Sequence, residues 1–230
     1  MKDWLVITMN NQKITIICGH YGSGKTNFSL NLAIDSAKKG EKVTLVDMDL
    51  VNPYFRSSDY KEILKEYDID VIAPVYAGTN VDIPSLSPDI YSIFVKEGHV
   101  ILDVGGDDVG ATVLGRFSER FEEVNYELLY VINKHRNLIA EPEDAVHILR
   151  EIEEVARVKA TAIVNNSHLK ELTSAETVIK SMAYANEVAD KLNLPLIYST
   201  VPKSINEELI NIDSSLQTYP IDIYVKTVWE

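Results

Sequence analysis

The stretch "GHYGSGKT", residues 19–26, directly follows the apolar run "KITIIC", residues 13–18. A strand that leads into a glycine-rich loop ending in Gly-Lys-Thr matches the phosphate-binding loop (P-loop) pattern. Glycines let backbone N–H groups converge on phosphate oxygens, and the helix that begins after the loop adds positive potential. Lys25 is predicted to reach the β- and γ-phosphates, and the Thr26 hydroxyl to bind Mg²⁺. The predicted cofactor contacts in the loop are Gly19, His20, Tyr21, Gly22, Ser23, Gly24, Lys25, Thr26 and Asn27.

The composition indicates a soluble globular protein. Of the 230 residues, 46% are hydrophobic and 25% are charged, which favours a single domain over residues 1–230. The net charge of −13 argues against nucleic acid or an anionic membrane as a partner. Cys18 is the only cysteine, so no intrachain disulfide can form, which fits a cytoplasmic location. No apolar stretch approaches the ~20 residues of a transmembrane helix.

Apolar runs alternate with helical patterns along the chain, and several of these runs are continuous in Val, Ile and Leu. Continuous apolar strands are typical of a sheet buried on both faces. The prediction is therefore an α/β fold: a doubly wound, mostly parallel sheet with helices on both faces. Helices are predicted over 25–39, 88–96, 141–156 and 174–192, with a helix or loop over 111–123 and a short helix near residue 205.

Acidic residues follow two of the predicted strands. In "HVILDVGG", residues 99–106, Asp103 ends the apolar run and precedes two glycines. This is the Walker B arrangement, which places a carboxylate beside the metal. Gly105 or Gly106 is then positioned to offer an N–H to the γ-phosphate. Asp47 and Asp49 end "VTLVDMD", residues 43–49. They would leave on opposite faces if the strand continued, and both would approach the phosphates if the chain turned there.

These motifs resemble the MinD/ParA/CobQ (SIMIBI) group of P-loop ATPases, which includes dethiobiotin synthetase. More narrowly, they are similar to bacterial members with a GHYGSGKT loop. The resemblance rests on "GHYGSGKTN", "VDMDLVNPYFR", "VILDVGG", "AIVNNSHL" and "VPKSI", between residues 14 and 205. It implies that Asp49 orients the attacking water and that Asp47, with Thr26 and Asp103, belongs to the metal shell. Lys25 and Asp49 are thus the predicted catalytic residues, with ATP and Mg²⁺ as cofactors.

The resemblance also implies where the base binds. Asn165 matches the adenine-contacting residue of the group, Asn166 stands beside it, and Pro202 matches the loop that lines the base pocket. An amide suits adenine because it carries both a donor and an acceptor. "NKHR", residues 133–136, has Arg136 where a guanine-reading motif has aspartate, which favours ATP over GTP.

Members of the group that sandwich two ATP molecules between subunits carry a lysine at the second position of the loop, where this chain has His20. A neutral imidazole lacks that permanent charge. Substitute cations could be Arg56, Lys134 or Lys203. The prediction is an ATP·Mg²⁺-binding protein that hydrolyses ATP slowly and acts as a nucleotide-dependent switch on a protein partner, with a homodimer as one form.

Two alternatives stay open at this point. One is an ATP-dependent ligase or transferase of the dethiobiotin synthetase or cobyrinate synthase type, which activates the carboxylate of a small substrate. Such an enzyme would hold its substrate on residues 56–87 or on "NNSHLKELTSAE", residues 165–176. The other is a nucleotide-binding module that does not hydrolyse.

Overall fold

The computed structural model of the protein describes residues 12–50, 56–74, 88–106 and 108–225. Residues 1–11, 51–55, 75–87, 107 and 226–230 lie outside the described residues.

Eight parallel strands form one sheet in the order β3-β2-β4-β1-β5-β6-β7-β8. This confirms the predicted doubly wound α/β fold. The strands are β1 Gln12–Cys18, β2 Val43–Asp47, β3 Asp70–Ile72, β4 Gly98–Asp103, β5 Tyr126–Ile132, β6 Ala162–Asn165, β7 Leu196–Pro202 and β8 Thr218–Ile221.

Seven α-helices connect the described strands. They are α1 Lys25–Lys38, α2 Lys61–Glu66, α3 Asp108–Gly115, α4 Ser118–Glu122, α5 Pro142–Ala156, α6 Ala175–Leu192 and α7 Lys203–Ile212. The predicted helices over 25–39, 141–156 and 174–192 are confirmed within one residue at each end. Among the described residues, no helix has the length and apolarity needed to cross a membrane.

The central strands are buried on both faces of the sheet, as their continuous apolar runs predict. Ile16 and Ile17 of β1 are both fully buried, but they belong to two different apolar clusters. Neighbouring strand residues point to opposite faces, so the two clusters are the two layers between the sheet and its helices.

Three local predictions need correction. Residues 88–94 form a 3₁₀ helix rather than a longer α-helix. The segment 111–123 contains parts of two helices, which separate after Gly115, where a Cβ atom would lie 2.7 Å from the carbonyl oxygen of Val155. The helical stretch 57–66 and the edge strand β3 were not predicted, because their segment is polar and β3 is only 3 residues long.

Candidate nucleotide-binding site

The glycine-rich loop joins β1 to α1 at the carboxyl edge of the sheet. Gly24 has φ of +93°, a left-handed conformation that favours glycine, and a Cβ atom there would lie 2.1 Å from Nδ2 of Asn166. The first turn of α1 contains no acidic residue, and no side chain caps its N-terminus. The start of α1 can therefore attract an anion through its N–H groups and the helix dipole.

Lys25 lies between the loop and the end of β4. Its side chain is only 7% exposed, and Nζ donates a hydrogen bond to the carbonyl oxygen of His20 at 3.1 Å. Gly106 faces it so closely that a Cβ atom there would lie 2.7 Å from Nζ. The chain thus holds its loop cation beside the glycine predicted to contact the γ-phosphate.

Asp103 and Thr26 meet at this end of the sheet. The Asp103 carboxylate is buried and accepts hydrogen bonds from the hydroxyls of Thr26 and, at 3.2 Å, Ser29. Burial, followed by the negative charge of the neighbouring Asp47, raises the pKa of Asp103 to about 7. The structure therefore brings together two of the three residues predicted to hold Mg²⁺.

Asp47 does not face the cleft. Its Oδ1 accepts from the backbone N–H of Asp49 at 3.1 Å, and its Oδ2 accepts from the backbone N–H and hydroxyl of Ser58 at 3.3 and 2.5 Å. Burial raises the pKa of Asp47, although these bonds oppose the effect. Asp47 was predicted to belong to the metal shell; in the structure three donors bind its carboxylate, and it is not among the residues that line the cleft. β2 ends at Asp47 and the chain turns, which places Asp49 on the cleft.

A cleft of about 350 Å³ runs along the carboxyl edge from the acids to the far strands. This volume is in the range of small-molecule sites. Its phosphate end, defined here by the P-loop and the acids, is lined by Tyr21, Gly22, Gly24, Lys25, Thr26, Asn27, Asp49, Asp103, Val104 and Gly106. The rest of its wall, called here the base end, is formed by Asn133, Arg136, Asn166, His168, Lys170, Ile223 and Val225.

Only one of the two adjacent asparagines reaches the base end. The Asn165 side chain is 1% exposed and points into the core, where Nδ2 donates to the hydroxyls of Ser181 at 2.9 Å and Ser199 at 3.2 Å. Its Oδ1 accepts from the backbone N–H of Ser167 at 3.2 Å. Asn165, the predicted adenine contact, therefore does not line the cleft in this structure, whereas Asn166 does.

Asn166 connects the loop after β6 to the P-loop. Its Nδ2 donates to the carbonyl oxygen of Ser23 at 2.6 Å, and its Oδ1 accepts from the Thr200 hydroxyl and from Nε2 of His168, the latter at 3.1 Å. The backbone N–H of Lys170 donates to Nδ1 of His168, which leaves the proton of the neutral ring on Nε2. Burial and then the charges of its neighbours lower the pKa of His168 to about 4, so the neutral ring is stable.

Other predicted contacts lie off the cleft. Pro202 is buried at the end of β7 and is not part of the cleft wall. Nδ1–H of His20 donates to the carbonyl oxygen of Tyr21 at 2.8 Å, away from the wall. Of the three predicted substitute cations, Lys203 pairs with Asp222, and neither Arg56 nor Lys134 lines the cleft.

The sequence prediction missed the cations that do line the cleft. Arg136 donates from Nε to the carbonyl oxygen of Gly22 at 2.6 Å, and Lys170 lies at the base end. Arg136 stands where a guanine-reading motif has aspartate, and its place just after β5, at the carboxyl edge of the sheet, is the signal for a cleft residue. Ile223 and Val225 had no such signal, because they follow the last strand in a short apolar-polar alternation.

The model of the CobQ/CobB/MinD/ParA nucleotide binding domain matches residues 14–194 of this chain. No curated protein matches.

Three solved structures share the fold at low identity. The signal recognition particle receptor FtsY of Elizabethkingia anophelis, in complex with GDP, is 13% identical over 86% of this chain and 60% of its own, with a TM-score of 0.58. FtsY of Mycoplasma mycoides is 17% identical over 81% and 59%, with a TM-score of 0.55. The signal recognition particle 54 kDa protein of Aeropyrum pernix, in complex with GDP, is 16% identical over 82% and 41%, with a TM-score of 0.51.

This chain spans less than two thirds of the length of each of these solved structures. Their identity to it is so low that they show the fold alone. The family match is broader, since it covers most of the chain and includes the P-loop, the acids that follow β2 and β4, and the loop after β6. The chain therefore belongs to the CobQ/CobB/MinD/ParA nucleotide-binding domain family and is a P-loop nucleotide-binding domain.

Proposed function

We propose that this protein binds ATP with Mg²⁺, hydrolyses it slowly and acts as a nucleotide-dependent switch toward another protein or a second copy of itself. The observation that carries the proposal is the convergence of Lys25, Thr26, Asp103 and Gly106 at one end of the cleft, next to the uncapped start of α1. A cation, a hydroxyl, a carboxylate and the N–H groups at a helix start together match the needs of a triphosphate with its metal.

The residues at the phosphate end fit a magnesium ion. Mg²⁺ is usually bound through one or two carboxylates, with substrate phosphates and water completing its shell. The Thr26 hydroxyl and the Asp103 carboxylate are already in contact, and the described residues contain no cluster of three ligating side chains that would suit a fully protein-bound metal. Mg²⁺ would neutralise charge on the phosphates and would also favour the ionised form of Asp103.

The base end supports adenine. Its polar side chains offer donors: Asn133, whose Nδ2 has no partner among the described residues, and the cations Arg136 and Lys170. Guanine presents N–H groups that a carboxylate commonly accepts, and the described base end contains none. Both purines present acceptors to such donors, so the missing carboxylate is the feature that favours adenine.

Slow turnover follows from the charges at the loop. His20 stands at the loop's second position and turns its Nδ1–H onto its neighbour's carbonyl group. Arg136, a further cation on the cleft wall, is held at the loop by the bond from its Nε to the Gly22 carbonyl oxygen. A cation that stabilises the transition state can be worth about a thousandfold or more in phosphoryl transfer, so a partner that supplies one would act as the switch's trigger.

Phosphate release tests the proposal. The parent protein should release phosphate from ATP more slowly than ~1 s⁻¹, the low end of ordinary enzymes. Asp49→Asn should be slower still but should bind ATP equally well, because a group that acts mainly in the transition state affects turnover more than ground-state affinity. Asp59→Asn, which changes an exposed acid next to Ser58, is the matched control. Brisk turnover by the parent alone, or equal rates in the parent and Asp49→Asn, would contradict the proposed mechanism.

The ligase alternative has no specific support in the described residues. Of the two segments that it would use, 56–87 lies partly outside them, and 165–176 contributes Asn166, His168 and Lys170 to the same cleft that we assign to the nucleotide. Phosphate release that requires an added small carboxylate would favour that alternative.

A further inference from the structure

Three polar residues on α1 form a stripe that contacts the C-terminal part of the chain. Asn27, Asn31 and Asp35 are spaced by four residues, so they lie on one face of the helix. Asp35 accepts a hydrogen bond from the Tyr219 hydroxyl at 2.7 Å, and the two asparagines bind the backbone that follows β8. The helix that begins at the P-loop therefore also positions the end of the described chain.

The asparagine contacts are all to backbone atoms. Asn31 donates from Nδ2 to the carbonyl oxygen of Asp222 at 2.9 Å, and its Oδ1 accepts from the Asp222 N–H at 2.8 Å. Asn27 donates to the same carbonyl oxygen at 3.0 Å and accepts from the N–H groups of Tyr224 and Val225 at 2.8 and 3.1 Å. The two amides act like a neighbouring strand, and we call this pair the asparagine clamp.

The clamp determines what faces the cleft. Residues 222–225 continue beyond the edge strand β8, and two residues of alternating position, Ile223 and Val225, line the base end of the cleft. Both are half-buried. They form an apolar wall on an otherwise polar end of the cleft, which is lined by asparagine, histidine and cationic side chains.

We propose that Ile223 and Val225 form the apolar subsite for the heteroaromatic base of the nucleotide, and that the asparagine clamp positions this subsite relative to the P-loop. The inference rests on the proposed nucleotide binding and identifies the part of the site that lies outside residues 14–194, the span of the family match. The flat faces of a purine are apolar, so burial against two aliphatic side chains is favourable without any hydrogen bond.

The subsite has a distinct signature because it contacts the base and not the phosphates. Its aliphatic side chains offer no donor or acceptor, so it strengthens binding of adenine and guanine nucleotides alike. Asn31 does not line the cleft: it is a positioning residue that acts through the backbone of Asp222 and, at 2.8 Å, the carbonyl oxygen of Asn27. Loss of either element should weaken nucleotide binding and leave inorganic tripolyphosphate binding unchanged.

The experiment compares Mg·ATP, Mg·GTP and Mg·tripolyphosphate by calorimetry on the parent protein, on Ile223→Ala/Val225→Ala, on Asn31→Ala and on the control Ile212→Ala. Ile212 is an exposed aliphatic residue of α7. We expect both nucleotides to bind the double variant about tenfold more weakly, which corresponds to about 1.4 kcal/mol. Asn31→Ala should show a smaller loss of the same kind, Asn31→Gln a partial recovery, and tripolyphosphate should bind all proteins equally.

The outcomes separate this inference from the proposed function. If all three ligands weaken together in the double variant and in Asn31→Ala, these residues only stabilise the fold and the inference is wrong. Unchanged nucleotide affinity in the double variant also overturns it. If the parent binds tripolyphosphate as tightly as either nucleotide, the base subsite is refuted while the phosphate site stands. If the parent binds none of the three, the proposed function fails as well.

Thermal unfolding of each variant identifies any that does not fold, and Ile223→Val then replaces the double variant.

Discussion

Nδ2 of Asn166 donates a hydrogen bond to the carbonyl oxygen of Ser23 at 2.6 Å. The bond joins the loop after β6 to the middle of the P-loop, across 143 residues of sequence. It lies beside Gly24, whose missing side chain makes the close approach of the two loops feasible. The shape of the P-loop therefore depends on a residue from the base end of the cleft.

The adjacent asparagines should respond differently to replacement. Asn166→Ala and Asn165→Ala each remove a buried amide and leave its hydrogen-bond partners unpaired. Each should lower the free energy of unfolding by about 1–3 kcal/mol. Only Asn166→Ala should also weaken ATP binding, because only Asn166 supports the P-loop. Urea denaturation and calorimetry on both variants check this. Loss of ATP binding in Asn165→Ala alone would restore the original assignment of Asn165 to adenine.

Gly106 should be intolerant of a side chain. A Cβ atom there would lie 2.6 Å from the backbone nitrogen of Tyr21 and 2.7 Å from Nζ of Lys25. Gly106→Ala should thus displace Lys25 or the loop and weaken ATP binding by about tenfold or more, the effect of ~1.4 kcal/mol.

Gly40→Ala is the matched control for this steric effect. A Cβ atom at Gly40 would meet nothing within 4 Å, but its φ of +84° is strained for alanine. That variant should lose stability and keep ATP affinity. If ATP affinity fell equally in both variants, the contact between Gly106 and Lys25 would not explain the loss.

Buried His99 should make stability depend on pH. Its ring contacts the hydroxyls of Thr15 and Ser36, each at 2.8 Å, and burial lowers its pKa to about 4. Below the ordinary value of about 6.5, the unfolded chain binds the proton and the folded chain does not, so stability falls as the pH falls. From pH 7 to pH 5 this one residue should cost about 2 kcal/mol.

The comparison with His99→Gln isolates that contribution. Glutamine can bind both hydroxyls without titrating, while Asp47, Asp103 and His168 titrate in both proteins and cancel. The parent should lose about 2 kcal/mol more than the variant between pH 7 and pH 5, measured by urea denaturation. Equal losses would show that His99 is protonated as readily in the folded protein as in the unfolded one.

The sequence predicted the sheet, and it identified most of the residues that line the phosphate end, because these signals are local. Because β1, β4 and β5 are buried on both faces, their sequences are continuous apolar runs. The P-loop occupies eight consecutive positions. The strand β3 carried too little signal in three residues at the edge of the sheet. The polar helical stretch after residue 56 depends on tertiary contacts, such as the bond from the Ser58 hydroxyl to Asp47.

The base end was harder to predict because its geometry depends on register and on distant partners. Asn165 and Asn166 are the same residue type at adjacent positions, and only the end of β6 decides which one faces the cleft. The asparagine clamp joins positions 191 residues apart in the case of Asn31 and Asp222. Neither Asn27 nor Ile223 carries a local pattern that would reveal this pairing.

The most direct test is a calorimetric titration of Mg·ATP and Mg·GTP into the parent, into Lys25→Ala and into the control Lys65→Ala, which changes an exposed lysine of α2. We predict one site in the parent, with ATP bound more tightly than GTP. Loss of the charge-assisted contact in Lys25→Ala should cost about 1.5–3 kcal/mol, while Lys65→Ala should bind like the parent. Equal ATP affinity in the parent and Lys25→Ala would contradict the phosphate site, and tighter binding of GTP would contradict the assignment of adenine.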